Sequence, residues 1–330
     1  MRQPLIRFAG VVALAMLIAA LTANAPLTLA GSLSSTVIGL FPRDLGEFAY
    51  ADLKSARQYP WFAKLREQLL PSRFRQFEQF LASSGMDPNT QVDELAWAGI
   101  TATKTGGEEV VGIALGSFDP SAVEAHFKEQ KLPSYEIQGY RLYAFGSGLA
   151  ANDILFLFLD SNTAAFGHRS ALEQLINVRT GTAESVTANS NLYPLISDTN
   201  GGGIIWAVLD QSYTHTAMQQ LIPQASQFPA AAAIINRMRA MTINVEADSG
   251  IDAHFQAVCA TVDDANLLTA ALQAGIMLRH AQEAQTNPAL AAALDGVRVT
   301  ANGDHLKVDA PVSQDQLQSL IQSRVFVTPM

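Results

Sequence analysis

The sequence predicts an α+β fold made of two related units of mixed, mainly antiparallel sheet with packed helices. Three observations predict it. From Phe41 onward, short strand-like runs alternate with amphipathic helices, a pattern of mixed folds rather than of sandwiches or bundles. A strand, turn, strand, helix order occurs twice, which indicates an internal duplication. After an apolar N-terminal segment about 300 residues remain, enough for a large core or two domains.

The N-terminal segment, residues 1–30, has the composition of an export signal. Arg2 and Arg7 form a positive start, and residues 8–21 are apolar and carry no charge. A helix of that length measures about 21 Å, which is shorter than the roughly 30 Å hydrocarbon core of a membrane. The length favours a signal peptide over a membrane span.

Two cleavage sites compete in this segment. The Ala-Asn-Ala motif at 23–25 has the small-x-small form, but Pro26 follows it and spoils the extended backbone that a peptidase reads. The Thr-Leu-Ala motif at 28–30, ahead of Gly31, is the better candidate. If neither is cut, residues 8–30 contact the membrane as an uncleaved anchor. We therefore expect an exported protein, either periplasmic or anchored in the inner membrane with its body outside the cytoplasm.

Charge and cysteine content exclude several classes of protein. The chain has 30 acidic and 21 basic residues, a formal net charge of −9, so nucleic acid is not an expected partner. Its single cysteine, Cys259, excludes an intramolecular disulfide and, because it lies far from the N-terminus, a lipid anchor on an N-terminal cysteine.

The first predicted unit covers residues 41–200 and follows a Ser/Thr-rich linker at 31–40. Asp119 is placed as the N-cap of a helix that has Pro120 at its first position. A hairpin turn is predicted at Thr105-Gly106-Gly107. The predicted strands are 48–53, 95–103, 110–118, 135–145, 154–160 and 164–167, and the predicted helices are 56–70, 73–83, 119–131 and 169–178.

The second predicted unit, 201–330, repeats much of this order. Residues 95–130 align without gaps on residues 239–274, and residues 154–176 align on 299–321. Identities are few, so coincidence remains the alternative to duplication. Where the first unit has strands around Gln138-Gly139-Tyr140, the second has a long helix, 263–284, and a short one, 288–294.

Motifs for catalysis or cofactor binding are weak throughout. The six histidines have no partner at metal-ligand spacing, and His168, at a helix start after Gly167, is better explained by capping or surface exposure. No Gly-x-Ser-x-Gly motif occurs, and Gly146-Ser147-Gly148 indicates a flexible loop. Gly201-Gly202-Gly203 precedes a strand rather than a helix, unlike a phosphate-binding loop. No cofactor, metal site or catalytic residue is predicted. The histidines are His126, His168, His215, His254, His280 and His305.

Acidic pairs, the cysteine and an aromatic group have structural explanations that compete with functional ones. Glu108-Glu109 and Asp263-Asp264 could bind a cation or act as acid and base, but capping explains them better. Capping covers Asp52, Asp119, Asp160, Asp210 and Asp263 as well, since most of them lie between a strand and a helix. Cys259 fits a buried strand position. The aromatic residues form a core stripe or line an apolar groove; they are Tyr59, Trp61, Phe62, Phe74, Phe77 and Phe80.

Several turn and cap motifs resemble those of a group of uncharacterised bacterial exported proteins. They are Phe41-Pro42-Arg43-Asp44, Gly85-Met86-Asp87-Pro88 before Leu95-Ala96-Trp97, and Gly116-Ser117-Phe118-Asp119-Pro120. The resemblance covers most of the chain after Phe41. It implies an apolar N-terminal segment followed by two weakly similar strand and helix units, and it implies no catalytic residues.

The sequence thus leads to three hypotheses about function. The first is a non-enzymatic envelope protein that binds a protein partner or an apolar ligand. The second is a degenerate or unfamiliar enzyme with its site between the two units. The third is a purely structural envelope protein.

Overall fold

The computed structural model describes residues 31–69, 72–101, 108–146, 150, 153–221, 232–233, 235–248 and 250–323. The predicted signal segment, the turn at 105–107 and Ser147-Gly148 lie outside the described residues. The chain divides into two compact units, the first within 33–55 and 70–194 and the second within 56–69 and 195–330. The predicted bounds, 41–200 and 201–330, place residues 56–69 in the first unit, whereas these residues pack with the C-terminal part of the chain.

The first unit is an antiparallel sheet with the strand order β1-β2-β3-β7-β6-β5-β4. Its strands are β1 (Glu47–Asp52), β2 (Val92–Thr101), β3 (Glu108–Gly116), β4 (Ser134–Ile137), β5 (Tyr140–Phe145), β6 (Ile154–Phe158) and β7 (Thr163–Gly167). Its helices are α1 (Ser35–Ile38), α2 (Leu53–Ala56), which ends in the second unit, α4 (Ser72–Ser83), α5 (Pro88–Gln91), α6 (Pro120–Glu129) and α7 (Arg169–Arg179).

The second unit is an antiparallel sheet with the order β8-β9-β10-β12-β11. Its strands are β8 (Ile205–Leu209), β9 (Ala240–Ala247), β10 (Ile251–Val258), β11 (Arg298–Asn302) and β12 (His305–Val312). Its helices are α3 (Phe62–Leu69), α8 (Leu192–Thr199), which begins in the first unit, α9 (Gln211–Leu221), α10 (Val262–Thr286), α11 (Pro288–Leu294) and α12 (Gln314–Gln322).

The α+β class with antiparallel sheets is confirmed. The order β1-β2-β3-β7-β6 in the first unit corresponds to β8-β9-β10-β12-β11 in the second, including the strands that follow out of sequence. In each unit a helix follows the strand that comes last in the sequence: α7 follows β7 in the first unit, and α12 follows β12 in the second. Descent of the two units from a duplication stays a prediction.

Two local predictions differ from the structure. The predicted helix 56–70 is broken, because Pro60 has no N–H to donate and disfavours helical backbone at the preceding residue; α3 begins only at Phe62. The predicted linker 31–40 contains α1, whose Ser34 side chain accepts a hydrogen bond from the backbone of Val37. Leu33 and Ile38 are buried, so this segment belongs to the core of the first unit.

An aromatic core fills one side of the first unit. Phe127 of α6 packs against Phe80, Tyr143 and Phe156, with ring centroids 5.5, 5.1 and 5.3 Å away. Aromatic rings at such separations add edge and stacking contacts to the burial of apolar area. Phe77 of α4 belongs to the same cluster.

The sheet of the second unit has one apolar and one polar face. Along β9 and β10 buried residues alternate with more exposed ones, and the buried positions include Ile243, Val245, Ala253 and Ala257. Helix α10 contacts β11 and β12. This contact fixes the inner side of α10, the side that packs on the sheet.

Candidate functional site

Helix α10 is anchored at both ends. Thr261 is its N-cap and accepts a hydrogen bond of 3.1 Å from the backbone N–H of Asp264. The sequence placed this cap at Asp263, but Asp263 and Asp264 lie in the first turn, where carboxylates favour the helix dipole. At the other end Asn287 caps α10 and also accepts from the backbone of Leu290 to begin α11.

The inner side of α10 is held by apolar and polar contacts. Ala265 and Leu268 are buried against the second unit. The side-chain amide of Gln273 donates a hydrogen bond of 3.0 Å to the carbonyl of Val299 in β11. Asp264 is also buried and forms an ion pair with Arg237, whose Nη2 lies 2.6 Å from Asp264 Oδ1. These contacts fix which side of the helix faces away from the sheet.

The outer side of α10 is apolar and open to solvent. Among the residues that the structure describes, four large hydrophobic side chains are exposed, and all four belong to this helix: Val262 (51%), Leu267 (57%), Met277 (67%) and Leu278 (62%). Exposed apolar side chains scattered singly are ordinary, whereas their concentration on one element marks an interaction surface.

Small residues complete this surface between the large ones. With 3.6 residues per turn, residues at intervals of three and four share one side of a helix. Leu267, Ala274 and Ala281 are spaced by seven residues, and the alanines are exposed. We call the following set the outer face of α10: Leu267, Ala270, Ala271, Ala274, Met277, Leu278 and Ala281.

The outer face carries no charge. No Asp, Glu, Lys or Arg occurs from Ala265 to Leu278. At the C-terminal end of α10, Arg279 Nη2 lies 2.6 Å from Glu283 Oε1, and His280 Nε2 lies 3.1 Å from Asp295 Oδ1. With no titratable group, the outer face has nothing for acid-base or nucleophilic chemistry. It suits burial against another apolar surface.

The sequence contains a signal for this surface. Residues 265–278 carry no charge, and their apolar residues lie on two sides of the predicted helix, with Asn266, Thr269 and Gln273 together on a third side. The sequence does not show whether the fold covers both apolar sides of this helix. In the structure, the described residues cover the inner side and leave the outer face open.

Three of the six histidines have hydrogen-bond partners of their own. His254 is opposite Asp309 on the neighbouring strand, with Nδ1 and Oδ1 2.7 Å apart, while His305 pairs with Asp304 beside it. His168 Nδ1 accepts a hydrogen bond of 2.9 Å from the backbone N–H of Val110, so its ring ties the start of α7 to β3. Among the described residues no group of three or more His, Cys, Asp or Glu side chains is arranged to hold a metal ion.

The remaining candidates from the sequence have packing or capping roles. Asp119 accepts from the backbone of Ala122, as predicted. A Cβ atom added to Gly203 would lie only 2.2 Å from the carbonyl oxygen of Val245, so close backbone packing requires glycine there. At Gly202 the nearest atom is Asn244 Oδ1, at 2.3 Å, and the Asn244 side chain would have to move. Glu109 accepts a hydrogen bond from the hydroxyl of Ser170.

Cys259 is buried, and burial raises the pKa of its thiol to about 11, with Asp264 and Asp304 contributing. A thiol with this pKa is protonated at neutral pH and is a poor nucleophile.

The predicted aromatic group divides between the two units. Phe77 and Phe80 pack in the aromatic core of the first unit. Tyr59, Trp61 and Phe62 belong to the second unit, where the rings of Tyr59 and Trp61 stack 5.4 Å apart. The side chain of Phe74 lies outside the part of the chain that the structure describes. Phe77 and Phe80, the described aromatic residues of α4, therefore fill a core rather than line a groove.

An acidic cluster that no sequence motif indicates lies in the first unit. The hydroxyl of Tyr50 donates a hydrogen bond of 3.1 Å to Glu94, and Asp52 lies directly opposite Glu94 across the two strands. Burial raises the pKa of the Glu94 carboxyl, and the charges of Asp52 and Asp93 raise it further against the effect of the Tyr50 hydrogen bond. Cross-strand register creates this cluster, and register is not visible in the sequence.

Comparisons with known proteins add little to this geometry. No protein-family model matches the chain, and no curated protein matches it. Among solved structures, crystal form I of TP0453 matches at 10% sequence identity and a TM-score of 0.48, covering 92% of this chain and 99% of that one. No helix among the described residues has both the length and the apolar content needed to span a membrane.

Proposed function

We propose that this chain is an exported, non-enzymatic protein that binds a protein partner through the outer face of α10. The main support is that, among the described residues, all the exposed large hydrophobic side chains lie on this one helix. Water is a poor solvent for such a face, and burying it against a partner releases roughly 25 cal/mol per Å² of apolar area.

The shape of the face supports a macromolecular partner over a small apolar ligand. Small-molecule sites are concave and enclose most of the ligand. The outward side of a single helix is convex, so a small molecule bound there would remain largely in water. A protein surface with a complementary helix or groove would cover Leu267, Met277 and Leu278 together.

Site-specific photo-crosslinking tests this proposal. A photoreactive phenylalanine analogue at position 278 is expected to give a protein adduct in intact cells of the native host. The same analogue at Thr300, an exposed residue of β11, serves as the matched control and is expected to give little adduct. Equal yields at both positions, or none at 278, would contradict a role of the outer face in binding.

Export is the second part of the proposal and is supported by the composition of residues 1–30. Cell fractionation and N-terminal sequencing of the mature protein test it. A mature N-terminus at Gly31 in the periplasmic fraction indicates cleavage after Ala30, and an intact N-terminus in the membrane fraction indicates an anchor. An intact chain in the cytosol would contradict export in either form.

A further inference from the structure

We infer that the partner of the outer face is a second copy of this chain, packed as an antiparallel helix pair about a two-fold axis near Ala274. This inference rests on the proposed function, since it identifies the partner of the same face. A two-fold dimer that uses the same patch on both subunits is the commonest arrangement among soluble oligomers, and it requires a patch that is complementary to itself.

The sizes of the side chains meet this requirement. With Ala274 on the axis of an antiparallel pair, each large residue of one helix meets an alanine of the other. Small residues at these positions allow the helix axes to approach to about 8 Å, the near end of the usual range. The facing pairs are Leu278 with Ala270, Met277 with Ala271, and Leu267 with Ala281.

Charge favours the antiparallel orientation. In a parallel pair the exposed carboxylate of Asp263 would lie beside Asp263 of the second copy, and the two helix dipoles would point the same way. In the antiparallel pair Asp263 faces the neutral amide of Gln285. The charge-free stretch from Ala265 to Leu278 also lets two acidic molecules meet where neither presents a like charge.

A membrane surface fits the face less well than a second copy does. Helices that lie in the membrane interface carry Lys and Arg on the polar side, which anionic lipids attract. The charged residues of α10 are three acids, Asp263, Asp264 and Glu283, against one arginine, Arg279. Together with the net charge of −9, this composition repels an anionic surface.

The size of the contact between the two helices indicates how tightly the dimer is held. The outer face covers about four helical turns, so the area buried is at the low end for specific interfaces. We expect a dimer that dissociates in the micromolar range. Because Leu278 lies within the contact, Leu278→Glu would bury an unpaired carboxylate on each side and raise the dissociation constant by more than about 100-fold.

Disulfide trapping tests both the partner and the orientation, with protein expressed from the full sequence. The native Cys259 is buried and does not interfere. Ala274→Cys places two thiols at the axis, and mild oxidation is expected to give a covalent dimer. Gln285→Cys is the matched control, because an antiparallel pair separates the two Gln285 positions by about 33 Å, far beyond the 7 Å limit for a disulfide. Sedimentation of wild type and Leu278→Glu at about 100 µM measures the equilibrium.

The outcomes separate this inference from the proposed function. Dimers trapped by Ala274→Cys and not by Gln285→Cys, with loss of dimer in Leu278→Glu, support the antiparallel pair. Trapping by Gln285→Cys would overturn its orientation, and a dimer that neither variant traps would overturn its location. A monomer that still forms a photo-adduct with a different protein at position 278 would overturn the second copy and leave the proposed function standing. Binding of the outer face to lipid vesicles instead would overturn both.

Discussion

Leu278 lies three helical turns beyond Leu267 on the same side of α10, and both side chains expose more than half of their surface, 62% and 57%. Leu268, the immediate neighbour of Leu267, is 1% exposed. One helix thus carries a packed side that stabilises the fold and an open side that does not. Substitutions on the two sides therefore separate stability from binding.

The pair Leu267 and Leu268 gives the first prediction. Leu268→Ala removes a buried side chain and is expected to lower the free energy of unfolding by about 2–5 kcal/mol. Leu267→Gln changes an exposed side chain and is expected to alter it by no more than about 0.5 kcal/mol, while it weakens binding. Urea unfolding and photo-crosslinking from position 278 measure the two effects. A large loss of stability in Leu267→Gln would show that its side chain is already packed in the free protein.

The acidic cluster of the first unit predicts a pH dependence. The folded chain holds the Glu94 proton more tightly than the unfolded chain does, because burial raises its pKa. This contribution to stability is therefore complete below the ordinary carboxyl pKa of about 4.3 and is lost as pH rises through the raised pKa. Glu94→Gln removes the ionisation and keeps an acceptor for the Tyr50 hydroxyl.

The measurement is the difference in urea midpoint between Glu94→Gln and wild type at pH 4 and at pH 7. We expect Glu94→Gln to gain stability relative to wild type as pH rises. Glu129→Gln, at the exposed end of α6, is the control for the loss of one carboxylate. If the difference for Glu94→Gln is larger at pH 4 than at pH 7, the assignment of the raised pKa is wrong.

The buried thiol gives a third prediction. Because the pKa of Cys259 is raised to about 11 and the side chain is buried, the folded protein is expected to react with a disulfide reagent at pH 8 only when it unfolds. The release of the coloured thiolate, followed with and without urea, measures this. Complete reaction of the native protein within seconds would show that Cys259 is accessible.

The aromatic core gives a fourth prediction. Phe127→Ala leaves a cavity between Phe80, Tyr143 and Phe156 and is expected to cost about 3–5 kcal/mol. Phe127→Leu fills most of that space and should cost clearly less. Lys128→Ala, the exposed neighbour on α6, is the control. Thermal unfolding measures all three, and equal losses in Phe127→Ala and Lys128→Ala would argue against the described core.

The sequence predicts helix ends and strand runs well where local chemistry decides them. Asp119 and Pro120 begin α6 as expected, and the long helix predicted at 263–284 is observed as Val262–Thr286. The predicted helix 56–70 is too long, because Pro60 disfavours helical backbone at the preceding residue and α3 begins only at Phe62. Local patterns do not contain long-range strand pairing, so the sequence does not indicate the hydrogen bond from Tyr50 to Glu94.

The candidate site could be predicted only in part, for a physical reason. Apolar residues on two sides of a helix look the same in sequence whether the fold covers both sides or only one. The difference lies in how many neighbours the fold places around it. For α10, Ala265 and Leu268 are covered and Leu267 and Leu278 are not.

Oxidation of Met277 is the most direct test of whether a partner covers the outer face of α10 in the cell. Its side chain is 67% exposed, whereas Met86, Met218, Met238 and Met241 are buried and serve as internal controls. Dilute peroxide converts exposed methionine to the sulfoxide, and mass spectrometry of peptides measures the rate at each position. We predict that Met277 reacts rapidly in the purified, diluted protein and slowly in intact cells, where a partner covers it. Equally rapid oxidation of Met277 in both would contradict binding through the outer face of α10.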